Sequence, residues 1–131
     1  MLLNLTDLSS EPLQQQIIRQ VRAMILSGDL PAGSDLPSIR ALARENRVSV
    51  ITVQRAYEEL ARENVIHSRR GKGFFVSEIP DPKKQDIARQ RLRERLIPVI
   101  EQASADGLSS NDIVATVADL LAAKPLSTTE A

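Results

Sequence analysis

Residues 38–77 read SIRALARENRVSVITVQRAYEELARENVIHSRRGKGFFVS, two cap-led helical patterns followed by two β-prone runs. Ser38 is placed to cap a helix, because its hydroxyl can accept one of the orphan N–H groups of a first turn. Ile39, Leu42 and Ala43 form the apolar side of that helix, which is short and ends near Asn46. After Arg47-Val48, Ser49 is a second cap. Val53, Ala56, Tyr57 and Leu60 then recur at i, i+3, i+4 and i+7, the core stripe of a helix over 50–63. Two helices separated by so short a link, the second led by a cap, read as a helix-turn-helix.

The runs Val65-Ile66-His67-Ser68-Arg69-Arg70 and Phe74-Phe75-Val76-Ser77 flank Gly71-Lys72-Gly73. Two β-prone runs around a glycine-bounded tip predict a hairpin. A tight hairpin directly after a helix-turn-helix is a wing. Its glycines allow the backbone to approach another backbone closely.

Upstream, Pro12 suits a first helical position. Leu13, Ile17, Val21, Met24 and Ile25 follow helical spacing, and Gly28 suits a left-handed stop, so a helix is expected over 12–27. Gln14, Gln15, Arg19 and Arg22 lie off its stripe. Asp29-Leu30-Pro31-Ala32-Gly33 reads as a turn and Leu36-Pro37 as an extended step.

Downstream, Ile79-Pro80-Asp81-Pro82-Lys83-Lys84 reads as a polar, proline-marked linker. It divides the chain into a winged helix-turn-helix over 1–79 and a linker with two helices over 80–131. Leu92, Leu96, Val99 and Ala103 repeat at heptad-like spacing, and Pro98 either kinks that helix or splits it near Ile97. Asp106-Gly107 ends it. Ser109 with Asp112 resembles a capping box. Ile113, Val117, Leu120 and Leu121 stripe a last helix, expected to stop before Pro125 and leave a frayed end over 126–131. The expected fold is mainly α with a small β-hairpin. Two short amphipathic helices cannot bury both stripes alone. Pairing with a second copy through Leu92, Leu96, Val99, Ile100, Ala103, Ile113, Val117, Leu120 and Leu121 is the leading expectation; packing on their own N-terminal domain is the alternative.

Composition removes several function classes. Among 131 residues there is no cysteine and one histidine, which excludes disulfides, thiolate metal sites, a thiol nucleophile and a multi-histidine metal site. No cofactor is expected. No apolar run suits a membrane helix and no secretory pattern opens the chain, so a cytoplasmic protein without a membrane partner is expected. Aromatics at 2% argue against a base-stacking platform for single strands. No nucleophile–base pair or distinctive carboxylate pair marks an enzyme. The zero net charge hides a gradient: residues 36–77 hold eight basic residues against four acidic ones, whereas each flank is net negative. A basic middle fits a nucleic-acid surface.

Helix geometry separates reading residues from packing residues. Taking Val53 as the core direction, Ile51, Arg55, Glu58 and Arg62 point nearly opposite, with Thr52 and Gln54 at the flanks. A recognition helix enters the major groove by its leading end. Ile51, Thr52, Gln54 and Arg55 therefore reach bases: Gln54 suits adenine, Arg55 suits guanine or a phosphate, and Ile51 suits a thymine methyl. Val50 lies about 60° from the stripe; both core packing and base contact are open to it. Backbone N–H groups at the capped starts near Ser38 and Ser49 can hold phosphates. Arg69, Arg70 and Lys72, with Gly73 at the wing tip, follow the backbone and minor groove. Arg44 and Arg47 read as solvated charges, Tyr57 as core, and His67 as structural or phosphate-facing.

These residues resemble a known pattern. Pro12-Leu13…Gln16-Ile17, Gly28…Leu30-Pro31-Ala32-Gly33, Leu36-Pro37-Ser38-Ile39-Arg40…Leu42-Ala43, Val48-Ser49…Thr52-Val53…Arg55-Ala56-Tyr57…Leu60 and Gly71-Lys72-Gly73…Phe75-Val76 are similar to the GntR family of bacterial transcription regulators. Ala56-Tyr57 and the short two-helix tail resemble its YtrA subfamily. Val50 stands where the family commonly has arginine or proline, Ile51 where a small polar residue is usual, and Phe74 where threonine or serine is common. The resemblance implies a homodimeric regulator, a repressor, on a pseudo-palindromic double-stranded DNA operator, with Arg40 on the backbone or a base. A winged-helix interaction adaptor that does not read DNA is the alternative. No residue cluster marks a site for a small-molecule effector.

Overall fold

The computed structural model describes residues 1–123 of the chain. The elements run α1 (Leu13–Leu26), α2 (Ile39–Asn46), α3 (Val50–Arg62), β1 (Ile66–Arg69), β2 (Gly73–Val76), α4 (Asp81–Ala105) and α5 (Ser110–Ala123). They divide into two units, Met1–Gln85 and the part from Asp86 onward, with α4 crossing the boundary. The expected stop before Pro125 and the frayed end fall outside the described residues.

The first unit has the apolar core. Ile17, Val21 and Ile25 of α1, Leu42 and Ala43 of α2, and Val53, Ala56, Tyr57 and Leu60 of α3 are buried, as their spacing predicts. Ile66 and Val76 close the core from the hairpin, where they are direct partners. α3 packs against α1, α2 and β1 and is the central element.

Local chemistry sets the helix boundaries. The Ser38 and Ser49 hydroxyls accept the N–H groups of Ala41 and Thr52, both at 3.0 Å, and so cap α2 and α3. Arg47, in the left-handed region at φ 55°, turns the chain between them. Pro12 caps α1 rather than opening its first turn: its ψ of 149° is extended, and its carbonyl accepts the Gln16 N–H at 3.0 Å. Gly28 takes the left-handed conformation at φ 91° just beyond α1, as expected of a stop.

Two buried positions of α1 escaped the stripe. Ile18 is as buried as Ile17, and Gln16 is only 2% exposed. A buried amide is tolerated because its hydrogen bonds are made. Gln16 Nε2 donates to the Thr6 and Glu11 carbonyls, both at 2.8 Å, and Oε1 accepts the Thr6 N–H at 3.0 Å. Gln20 grips Asn4 the same way, with N–H and carbonyl contacts both at 2.8 Å. The segment before α1 is thus held by side-chain amides acting as a strand partner would. Arg22, off the apolar stripe, forms a two-point ion pair with Glu63 at 2.9 and 2.8 Å, joining the ends of α1 and α3.

The hairpin gains a third edge. Asp35 bridges Phe75, and the Gly33 N–H to Val76, Val76 N–H to Ser34 and Leu36 N–H to Phe74 carbonyl bonds run at 2.8, 2.9 and 2.9 Å. The turn after α1 therefore stitches the wing to the helices.

The expected linker is already helical from Asp81. Proline in a first turn forfeits no helical N–H, so Pro82 is accommodated, and Asp81 favours the positive end of the helix dipole. Pro98 does not split α4, which continues to Ala105. The surface there is exposed, so water can take the carbonyl left without a donor. Neither α4 nor α5 has a buried residue. An apolar groove lies between them, lined by Ile100, Ile113, Val114, Val117, Ala118 and Leu121.

Candidate nucleic-acid interface

α3 presents its leading end to solvent. Val50 and Ile51 are 45% and 58% exposed, so Val50 is not a core residue. The reason is that Val53, Ala56, Tyr57 and Leu60 already fill the inward stripe. Gln54 and Arg55 are exposed, and Thr52 is half-buried. The polar groups here are unequal. Ser49 Oγ and Thr52 Oγ1 share a hydrogen bond at 2.8 Å, and Gln54 Nε2 donates to Glu58 Oε2 at 3.2 Å. Arg55 makes no hydrogen bond or ion pair among the described residues.

Tyr57 holds α3 at its angle to the rest. It is fully buried, and its hydroxyl donates to the Pro37 carbonyl at 2.8 Å. Burial, with Glu45 nearby, pushes the phenol well above its ordinary pKa, so it stays a neutral donor. Phe74 meets its ring edge-on, with centroids 5.0 Å apart. One side chain therefore joins the recognition helix, the lead into α2 and the wing. Sequence spacing marks Tyr57 as core but carries no signal for the Pro37 bond.

The wing has two faces. Ile66 and Val76 face inward; His67 pairs with Phe75 on the opposite face, and Arg69 shares that face. Arg69 stacks its guanidinium 4.6 Å over the Phe75 ring, and His67 lies 6.1 Å from the same ring on its other contact. His67 Nδ1 is 3.1 Å from Ser77 Oγ, which gives the imidazole a structural partner. Arg70 and Lys72 flank Gly71 at the tip and are exposed. Gly71 and Gly73 have φ of 72° and 99°, a backbone state that favours glycine.

The charge gradient sharpens in three dimensions. Of the eight basic residues over 36–77, Arg62 is engaged by Glu59. Arg40, Arg44, Arg47, Arg55, Arg69, Arg70 and Lys72 are exposed and have no acidic partner among the described residues. Glu63, by contrast, is neutralised by Arg22. Among the described residues no group of histidine and carboxylate side chains is arranged to hold a metal. None of the described helices is long and apolar enough to cross a membrane.

A three-helix core with a serine-capped, outward-facing third helix and a glycine-tipped basic hairpin defines a winged helix-turn-helix protein. The sequence profile described as bacterial regulatory proteins, gntR family, matches residues 13–76. The chain is 35% identical over 100 residues to the HTH-type transcriptional repressor YtrA of Bacillus subtilis (strain 168), covering 76% of this chain and 77% of that protein. It is 36% identical over 109 residues to YhcF of the same organism, an uncharacterized HTH-type transcriptional regulator, covering 81% and 87%. A GntR family transcriptional regulator from Listeria monocytogenes superposes with a TM-score of 0.74 at 29% identity, covering 88% of this chain and 98% of that one. The chain belongs to the GntR family of bacterial regulatory proteins and is a YtrA-like, DNA-binding transcriptional regulator.

Proposed function

We propose that two copies of this chain, joined through α4 and α5, repress transcription by occupying a pseudo-palindromic operator in double-stranded DNA. Residues 1–79 carry DNA binding and 80–131 carry pairing. The leading end of α3, with Val50, Ile51, Thr52, Gln54 and Arg55, enters the major groove. Ser38, Arg40 and Ser49 address the backbone at the capped helix starts. Arg69, Arg70, Lys72 and Gly73 follow the backbone and minor groove from the wing. Phosphate contacts supply most of the affinity and base contacts the specificity. Twofold pairing matches half-sites about 10 bp apart. The chain works in the cytoplasm and has no catalytic role.

The supporting observation is the set of seven exposed cations without an acidic partner among the described residues, between Arg40 and Lys72, on the unit that also carries the exposed start of α3. The repressor reading follows the similarity to a repressor. Pairing is supported by the unburied stripes of α4 and α5 and their apolar groove.

Fluorescence anisotropy with random duplex tests the first part: binding weakens linearly in log–log form as salt rises, because each neutralised phosphate releases counterions. Salt-independent or absent binding rejects it. Arg55→Ala is expected to cost about 1–3 kcal/mol on a selected operator if Arg55 reads a base. Val117→Glu combined with Leu121→Glu is expected to convert a sedimenting dimer to a monomer; an unchanged dimer rejects the interface.

A further inference from the structure

We infer that α3 recognises thymine through its C5-methyl group, using Val50 and Ile51, and that hydrogen bonding from the first turn of the helix contributes little to base choice. The inference rests on the operator reading above and names what that reading leaves open.

It follows from which polar groups of the cap and first turn are already committed. Ser49 Oγ accepts the Thr52 N–H and shares a further hydrogen bond with Thr52 Oγ1 at 2.8 Å. Gln54, in the second turn, donates one amide N–H to Glu58 at 3.2 Å and keeps its other N–H and its Oε1 open, so the restriction applies to the first turn alone. What the first turn offers outward without rearrangement is apolar: Val50 and Ile51, 45% and 58% exposed. Neither belongs to the buried core of the first unit, which Val53, Ala56, Tyr57 and Leu60 close on this helix. Both are β-branched and stiff at χ1, so little side-chain freedom is lost on contact. Among groove edges, the thymine methyl is the apolar group presented to the major groove. Two adjacent branched side chains at the entering end of a helix are complementary to it.

The test uses the full chain and duplexes selected from a random pool. Each thymine of the selected half-site is replaced in turn by deoxyuridine, which keeps base pairing and removes only the methyl. Affinity is expected to fall about fourfold at one or two thymines, the factor matching about 0.8 kcal/mol per buried methyl-sized group. In the Val50→Ala, Ile51→Ala double variant, the same replacements are expected to have no effect. A thermal melt confirms that this variant folds, since both residues are exposed. The inference is overturned if no uracil replacement weakens binding. It is also overturned if the double variant loses as much as the parent chain, because the methyl then acts through duplex stiffness. A pool that returns no bound duplex at low salt overturns the operator reading itself and this inference with it.

Discussion

The winged unit and the helical pair solve the same problem in opposite ways. Each contains amphipathic helices. In the first unit, α1, α2 and α3 turn their stripes on one another, and fourteen apolar residues, from Ile17 to Val76, are buried. In the second unit the stripes are less sharply segregated, α4 and α5 bury nothing, and Val99, Leu120 and Leu121 stand more than half exposed. Amphipathicity states that a face needs cover, without stating what covers it. A third helix and a wing supply cover in one unit; in the other, we propose, a second copy does.

The largest expected effect breaks this contrast if it fails. Leu60→Ala should destabilise the protein by about 2–5 kcal/mol, because it empties a closed core. Leu120→Ala should instead produce a loss that depends on protein concentration, as subunit linkage requires. Urea melts at several concentrations separate the two; identical, concentration-independent losses would refute the distinction.

Arg22→Ala comes next, at about 1.5–3 kcal/mol, since it removes two charge-assisted bonds from a half-buried Glu63. The loss should appear in the melt of the winged unit while the sedimentation of the full chain stays the same. Tyr57→Phe is expected to cost about 1–2 kcal/mol by leaving the Pro37 carbonyl without its donor. Because that bond sets α3 against the lead into α2, its cost to operator affinity should exceed its cost to random-duplex affinity. Equal losses on both duplexes would mean that the bond serves stability alone.

The smallest effect lies in the second unit. The Ser109 N–H, and then its hydroxyl, hold the Asp112 carboxyl below the ordinary aspartate pKa. A lowered folded-state pKa means that the cap of α5 is at full strength above about pH 4 and is lost as pH falls through the depressed value. A carboxyl carbon titration of Asp112 should show its midpoint below about 3.9. A midpoint at or above that value removes the capping box.

Much of the winged unit is legible in the residues. Ser38 and Ser49 mark helix starts, Gly28 a stop, and the spacing of Val53, Ala56, Tyr57 and Leu60 a buried face. These are local rules, satisfied within a turn or two of chain. The contacts that spacing missed are of another kind. Gln16 is polar in a core, Arg22 pairs with a residue forty-one positions away, and Asp35 bridges Phe75 from a segment too short to alternate. The run after Ile79 misled for a local reason: prolines signal a loop, but Pro82 sits where a helix can accept one. At the interface, the outward direction of Ile51, Gln54 and Arg55 was legible from helix geometry. Val50 lay between faces, and only the completed core left it outside.

Periodicity, caps and glycines were enough to specify helices, hairpin and charge gradient, because each depends on neighbours along the chain. Which polar groups remain free to meet a ligand depends on neighbours in space. Arg69 leans on Phe75 and Glu63 is taken by Arg22, so which charged side chains remain available for recognition was settled only when the elements packed.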